Sequence, residues 1–492
     1  MVDLILVNPG GKKKIYSSLA SSLAGIEPPV WLALLASFIK KDNFTVSIID
    51  AEAMSFTTEE TVEKILSLNG SLVGIGAIGS NPSAASTPKM VELRNILEIL
   101  KKLNPEQKTF VFGIHPSALP ERTLLEEKTD FVIKGEPFIP VLSLLKNIRD
   151  KNEKFYEGIK GVWYKENGSI VNSGWADVVQ NLDTLPFAAW ELLPMERYRA
   201  HNWQCFSNIK VRSPYAVLYT SFGCPYHCYY CNIHELYGGK PGLRLRSPEN
   251  VIKEIDFLYE KYNVKILKIM DELFAIDTPR VRRICNMLIE RNYGLNIWAY
   301  ARVDTVNPDL LTLLKKAGIQ WLAFGIEAES SLVRAGVNKD RFDRKKISEA
   351  IKMTHDAGIN VMGNFMFGLP DDNIQTMQDT LILSKELLCD YVNFYTTMAY
   401  PGSLLYEDAL KNNLPLPDSW EGYSQFSYET LPLPTKYLSA VEVLKFRDDA
   451  FKEYFSNPAY LDMIEKKFGL EVKKHILDML TLSLKRKILE KG

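Results

Sequence analysis

The sequence predicts an α/β protein with two successive parallel sheets and a helical C-terminal region. Three observations carry this reading. Residues 1–145 alternate short apolar, β-rich runs with helical stretches. The same alternation resumes over 216–400, and after Tyr400-Pro401-Gly402 the chain turns aromatic and proline-rich, then helical. Strands separated by helices are the pattern of parallel sheets with crossover connections.

In the first segment, strands are read at 4–7, 45–50, 72–78, 109–112 and 131–133, with helices at 29–40 and 90–103. Doubly wound sheets bind ligands at the carboxyl ends of their strands. Those ends carry Asn8-Pro9-Gly10-Gly11, Gly79-Ser80-Asn81-Pro82-Ser83, Gly113-Ile114-His115-Pro116-Ser117 and Lys134-Gly135-Glu136. Four polar turns with glycine on one edge suit a large ligand. No G-x-G-x-x-G follows a strand, which disfavours a dinucleotide and leaves a plain docking domain as the bland alternative. Residues 146–205 read as a connector, with a hairpin over 158–171 turning at Glu166-Asn167-Gly168. The stretch 182–198 is irregular, and Trp190 and Trp203 are assigned to a domain seam rather than to substrate.

The second segment reads as strands at 216–220, 264–269, 296–300, 319–326, 360–367 and 391–397. Helices fall between them at 248–260, 278–292, 308–317, 343–357 and 372–388. Ser247-Pro248, Thr278-Pro279 and Asn307-Pro308 each place a capping residue before a proline at the first helical position. Ala-Gly-Ile at 317–319 and 357–359 supplies a left-handed glycine at two helix ends. Six βα units make an open, partial version of the eight-stranded barrel, with chemistry expected at the C-terminal strand ends. Those ends present a cysteine cluster, then Asp271-Glu272, Arg302, Glu327 and Asn364. A carboxylate can accept from an ammonium, and Arg302 can grip a carboxylate in a bidentate fork, so the set suits a zwitterionic ligand. An ordinary ion pair at the barrel rim is the bland account of Arg302.

The cluster is Gly223-Cys224-Pro225-Tyr226-His227-Cys228-Tyr229-Tyr230-Cys231, three cysteines within eight residues spaced Cys-x3-Cys-x2-Cys. Soft thiolates select iron–sulfur clusters or zinc. Structural zinc closes its shell with four protein ligands, whereas a cluster on three cysteines leaves one iron open. His227 or His234 could complete a zinc site, and any pair of thiols could oxidise to a disulfide.

The spacing, with Tyr230 just before the third cysteine, resembles the signature of the radical S-adenosylmethionine (radical SAM) superfamily. That resemblance implies a 4Fe–4S cluster on Cys224, Cys228 and Cys231, with S-adenosylmethionine chelating the open iron. Glu272 in Met-Asp-Glu-Leu-Phe matches the family's acidic residue for the methionine amino group. Glu327 in Phe-Gly-Ile-Glu-Ala resembles its fourth-strand cofactor residue, and 363–370 (GNFMFGLP), which contains Asn364, the motif beside adenine. The first domain resembles the cobalamin-binding, Rossmann-like domain that precedes many such cores. Gly113 to Leu119 and Gly135-Glu136 match its turns, and Ser80 and Asn81 its ligand edge. The Asp-x-His-x-x-Gly motif is absent after the first strand, so cobalamin would lack that lower histidine, and His115 is read as a turn residue rather than a cobalt ligand.

The implied organisation is a cobalamin-binding domain at 1–145, the connector at 146–205, a radical SAM core at 206–402 and a substrate-side helical region at 403–492. The implied activity is cleavage of S-adenosylmethionine to a 5′-deoxyadenosyl radical and C-methylation of an unactivated carbon on a small molecule. A flavodoxin- or ferredoxin-type protein would donate the electron. Radical epimerisation, dehydration or cyclisation is the alternative on the same fold, and Cys205 or Cys389, if exposed, would favour hydrogen return to substrate. A cobalamin-responsive or metal-binding protein without turnover is the alternative from another class.

Composition sets the outer limits. The chain has 492 residues, 46% hydrophobic and 24% charged, as in ordinary globular domains. A net charge of −1 gives no electrostatic reason to expect nucleic acid or an anionic membrane. The start of the chain lacks a basic leader, and the longest apolar run, 30–39, is too short to span a bilayer. Six cysteines, three of them clustered, do not form a secreted disulfide pattern, so a reducing cytoplasm is expected. In the tail, 415–435 either walls the substrate pocket or caps the bottom of the barrel. Helices are read at 439–455, 459–466 and 471–490, and Lys485, Arg486, Lys487 and Lys491 as a solvated helix end.

Overall fold

The computed structural model describes residues 2–11 and 24–490. Its N-terminal sheet contains β1 (Val2–Asn8), β2 (Val46–Asp50), β3 (Gly70–Ala77), β4 (Thr109–Gly113), β5 (Phe131–Ile133), β6 (Val162–Glu166) and β7 (Ser169–Val171), in the order β2-β1-β3-β4-β5-β6-β7. The first five strands are parallel. Chain direction across the sheet reverses between β1 and β3, which puts the ends of those two strands at the switch point where such sheets bind ligands. Leu4 and Leu6 pack on one face of β1 with the helices Val30–Lys40 and Phe138–Arg149, and Ile5 and Val7 pack on the other with Thr58–Leu68 and Met90–Leu103. Burial on both faces explains why the strand is continuously apolar rather than alternating.

The hairpin read within the connector is built into this sheet. β6 pairs antiparallel with β5, Val132 opposite Trp163, and β7 closes the edge. Asn167 and Gly168 turn it with φ of 49° and 80°, as a two-residue turn of this hand requires.

The second sheet contains β8 (Tyr215–Leu218), β11 (Ile266–Ile269), β12 (Asn296–Ala301), β13 (Ile319–Glu327), β14 (Asn360–Phe367) and β15 (Tyr391–Thr396). A two-residue ladder, β9 (Ser221–Phe222) with β10 (Arg244–Leu245), lies beside it. The order β15-β14-β13-β12-β11-β8 is parallel throughout, and β8 and β15 do not pair with each other, so the barrel is open along one side. Ser247 and Asn307 cap their helices, accepting from the amides of Asn250 (3.2 Å) and Leu310 (3.0 Å). At the third helix the cap is Asp277, not Thr278. Its carboxylate accepts from Arg280 N at 3.0 Å, which moves the proline to the second helical position.

The C-terminal region forms helices Ala440–Phe455, Pro458–Phe468, Leu470–Leu480 and Lys487–Glu490. Arg486, expected in a solvated helix end, is instead only 2% exposed. It pairs with Asp448 at 3.0 Å and donates to the carbonyls of Ser427 and Gln425, because the last segment folds back over 424–430. Lys491 lies outside the described residues. Among the described residues no helix is long and apolar enough to cross a membrane.

Candidate active site

The cysteine loop leaves the first barrel strands at Gly223, whose φ is 89° and where a Cβ would lie 2.4 Å from Gly242 O, so only glycine fits the approach. Asp271, fully buried at the end of β11, fastens the start of this loop. One carboxylate oxygen accepts from Thr220 N (2.6 Å) and Ser221 N (3.1 Å), and the other from the Ser221 hydroxyl (2.7 Å). The sequence places Asp271 beside Glu272 but gives no sign of this staple, which depends on contacts 50 residues back.

All three loop cysteines are free and half-buried. Burial pushes the Cys224 thiol up to about 11 and Cys231 up to about 12, the latter raised further by the neighbouring Cys228. No group of three or more His, Cys, Asp and Glu side chains among the described residues converges on a single metal ion. Three thiols on one loop suit a cluster, in which each thiolate would bind a different iron. His234 is held away from the thiols, Nε2 lying 2.8 Å from Tyr226 O.

Around the loop stand the strand-end residues. Glu272 accepts from Tyr237 Oη at 3.3 Å through one oxygen, while the other is buried without a partner. Burial, and secondarily the charge of Asp271, raises its pKa from 4.5 to about 8. An orphaned carboxylate oxygen beside the thiols is the group an ammonium ligand would satisfy. Glu327 ends β13 at a bulge with φ 65°, accepts from Tyr230 Oη at 3.0 Å, and is paired with Lys339. Asn364 accepts from Asn393 Nδ2 at 3.0 Å and donates to Phe324 O at 3.3 Å.

Arg302 corrects one expectation. Its fork, read as a grip for a ligand carboxylate, is filled by Asp304 two residues on, at 2.9 and 3.1 Å. Its guanidinium lies 3.9 Å over the Tyr226 ring. It therefore braces the cysteine loop from below, and the ion-pair account is the one the geometry supports.

On the N-terminal side the turns meet the barrel directly. Ser80 O accepts from the buried Lys268 ammonium at 2.9 Å, and Asn81 caps the short helix Pro82–Ala85 and bonds the Tyr395 phenol. Gly113 has φ 125°, and a Cβ there would meet Ala77 O at 2.4 Å. Gly135 N donates to Ser117 Oγ at 2.9 Å. Glu136 is not open to a ligand: fully buried, it pairs with Arg244 of β10 and accepts from Val179 N at 3.0 Å, clamping the two sheets together. His115 is also engaged. Its Nδ1 lies 3.3 Å from Thr87 Oγ1, and its ring meets Trp420 edge-on at 4.3 Å. Burial, aided by the charges of Arg122 and Arg94, pulls its pKa down to about 3, so it is neutral.

Two spaces open at this seam. A cavity of about 280 Å³ runs from the barrel lumen to the C-terminal helices and is bordered by Ser80 and Asn81 on one side and by Tyr300, Asn393 and Tyr395 on the other. A narrow cleft of about 50 Å³ lies at the strand ends among Asn8, Glu52, Gly79 and Lys89. A corrin is larger than this cleft. Ser80 and Ala85 put small side chains on this edge, and His115, engaged by Thr87 and Trp420, is not placed to ligate a cobalt. Trp190 seals the seam as read, donating to Glu254 at 3.0 Å, but Trp203 lines the large cavity. The aromatic stretch reaches both the N-terminal domain and the cavity: Trp420 docks on His115, a contact neither expectation named, while Gln425 and Phe426 line the cavity. Cys205 and Cys389 are buried with thiols pushed up by burial, so neither is an exposed hydrogen donor.

A doubly wound domain facing an open six-stranded barrel, with three free thiols at their seam, defines a class of two-cofactor enzyme. The family models agree. The Radical SAM superfamily matches residues 218–383 and the B12 binding domain matches residues 16–138. The chain thus carries a radical SAM domain with a B12-binding domain ahead of it. It is 28% identical over 456 residues to the uncharacterized methyltransferase PH0819 of Pyrococcus horikoshii, covering 92% of this chain and 93% of that one. It is 25% identical over 477 residues to the anaerobic magnesium-protoporphyrin IX monomethyl ester cyclase of Rubrivivax gelatinosus, covering 96% and 81%. Among solved structures it shares the fold of the radical methyltransferase TsrM from Kitasatospora setae, determined with cobalamin and a 4Fe–4S cluster bound. The TM-score is 0.70 at 15% identity, with 93% of this chain and 90% of that one covered.

Proposed function

We propose that this radical SAM enzyme is a cobalamin-dependent methyltransferase that methylates carbon on a small molecule. The observation that carries the proposal is the shared cavity, walled by Ser80 and Asn81 of the B12-binding domain and by Tyr300, Asn393 and Tyr395 of the radical SAM core. A methyl donor on one domain and a radical generator on the other both need access to one substrate, and the seam is where both domains reach it. When bound, the cluster, S-adenosylmethionine and cobalamin supply the electron, the radical and the methyl group.

The chain's own residues orient and shield. Cys224, Cys228 and Cys231 hold the cluster. Glu272 accepts the S-adenosylmethionine ammonium through its unpartnered oxygen. Glu327, tied to Tyr230, and Arg302, stacked on Tyr226, fix the cysteine loop. Asn364 lies beside them on the next strand. Asp271 holds the loop's entry, and the Glu136–Arg244 pair keeps water from the seam. A flavodoxin- or ferredoxin-type donor supplies the electron from outside.

A second reading is radical cyclisation, supported by the cyclase of Rubrivivax gelatinosus matching nearly the whole chain. Supply of S-adenosylmethionine carrying a trideuterated methyl group to the reconstituted enzyme, with cell extract as substrate source, separates the two. Methyl transfer predicts a product heavier by a labelled methyl. Formation of 5′-deoxyadenosine with no labelled product would overturn it and favour the cyclase chemistry.

A further inference from the structure

The barrel cavity has a composition that the strand-end chemistry does not explain. It starts beneath the C-terminal strand ends, where the Tyr300 and Tyr395 side chains line it. From there it passes Trp298 and Met362 and leaves the barrel through the open side, between Phe451, Met479 and Leu482. The strand ends above are covered instead. Ser83 donates to Asn232 at 2.8 Å across the seam, and Trp31 stacks on Phe222 at 4.8 Å.

The ionised groups buried on the cavity wall are matched internally. Lys268 donates to both oxygens of Glu27, at 2.9 and 3.0 Å, and to Ser80 O at 2.9 Å, which uses all three of its hydrogens. Arg447 pairs with Asp448 at 2.8 Å and donates to Phe394 O at 2.7 Å. Asp448 is held a second time by Arg486. Gln425 is spent on the backbone of Thr396, at 3.0 and 2.9 Å. His475, on the wall farther out, has its pKa lowered by burial and by Arg212, and so is neutral at pH 7. Lys452, an exposed residue, is the cation at the mouth. An anionic or phosphorylated ligand in the lumen would find no free cation and would face desolvation unpaired.

We infer that this cavity binds the substrate, and that the substrate is a neutral, predominantly apolar molecule entering through the open side of the barrel. The inference rests on the radical methyltransferase reading, whose substrate it describes, and is tested by binding so that the two can fail separately. The full-length reconstituted protein is titrated with N-phenyl-1-naphthylamine, a neutral apolar fluorophore, and with 1-anilinonaphthalene-8-sulfonate, which is the same ring system bearing a negative charge. The neutral probe is expected to bind one per chain, at least tenfold tighter than the sulfonate. Leu482→Asp, which puts a charge on the half-exposed outer wall, and Ser483→Trp, which narrows the mouth from an exposed position, should each weaken the neutral probe at least tenfold. The thermal midpoint shows which variant has folded, and either one suffices. Equal or tighter binding of the sulfonate, or wild-type probe affinity in a folded variant, would overturn the inference. 5′-Deoxyadenosine formation by the wild-type enzyme reports on the activity separately: cleavage without probe binding sinks the cavity assignment alone.

Discussion

Replacing Glu272 by glutamine is predicted to stabilise the protein while removing its grip on S-adenosylmethionine. The carboxyl is buried with one oxygen unpartnered, and burial moves its pKa from 4.5 to about 8. Between those values the folded state keeps a proton that the unfolded chain releases, so stability falls as pH rises from 4.5 to 8 and is unaffected below 4.5. Each unit is worth about 1.4 kcal/mol, so the wild-type site costs about 3 kcal/mol at pH 7 relative to a neutral side chain. Glutamine keeps the acceptor for Tyr237 and removes the charge. Thermal midpoints measured from pH 5 to pH 8 should converge at the acid end and separate above it. For a unit the size of this barrel, about 3 kcal/mol corresponds to roughly 6–12 °C at pH 7. Equal midpoints at pH 8, or a variant less stable there than wild type, would refute the reasoning that Glu272 is a strained site awaiting a cation.

Three further outcomes follow from the same geometry. Because the empty-site Glu272 is protonated below about 8, binding of the S-adenosylmethionine ammonium must expel that proton; affinity measured by calorimetry should tighten by nearly tenfold per pH unit from 6 to 7, and Glu272→Gln should flatten the profile. Arg244→Ala leaves Glu136 charged and fully buried, which should cost about 3–5 kcal/mol at neutral pH and lower the thermal midpoint, with the loss shrinking in acid as Glu136 takes up a proton. Cys224→Ser, Cys228→Ser and Cys231→Ser should each abolish reconstituted iron and its visible absorption while leaving the far-ultraviolet circular dichroism of the fold intact; a variant that keeps about four irons would remove that cysteine from the ligand set.

The strands and helices were legible because their signals are local. Pro248 and Pro308 behind their caps, Gly318 and Gly358 at helix ends, and the apolar run of β14 each act within a few residues. Asp277 could have been preferred to Thr278 on the same local grounds, since a carboxylate is the better cap. The strand-end positions of Glu272 and Glu327 followed from barrel geometry, whereas Asn364, expected at a strand end, lies inside β14, where it pairs with Gly325 and Asn393; the partners of all three were not foreseen. Glu136 meets Arg244 108 residues away, and Tyr230 meets Glu327 97 residues away, distances over which periodicity carries no information. Arg302 was the nearer miss, because Asp304 stands two residues on and competes with any ligand for the same fork. Arg486 looked solvated in a basic tail, and only the fold shows Asp448, Ser427 and Gln425 gathered around it. The cavity was the least legible feature. Its walls come from four strands and the C-terminal helices, and its neutrality arises from pairings such as Lys268 with Glu27, 241 residues apart.

The most direct test of the central claim counts cofactors per chain. The full-length protein is reconstituted anaerobically with iron and sulfide, incubated with hydroxocobalamin, passed over gel filtration, and assayed for iron, cobalt and zinc. The account predicts about four irons, one cubane cluster, together with close to one cobalamin and no zinc. Iron without retained cobalamin would contradict the two-cofactor methyltransferase, and zinc with neither would contradict the radical chemistry altogether.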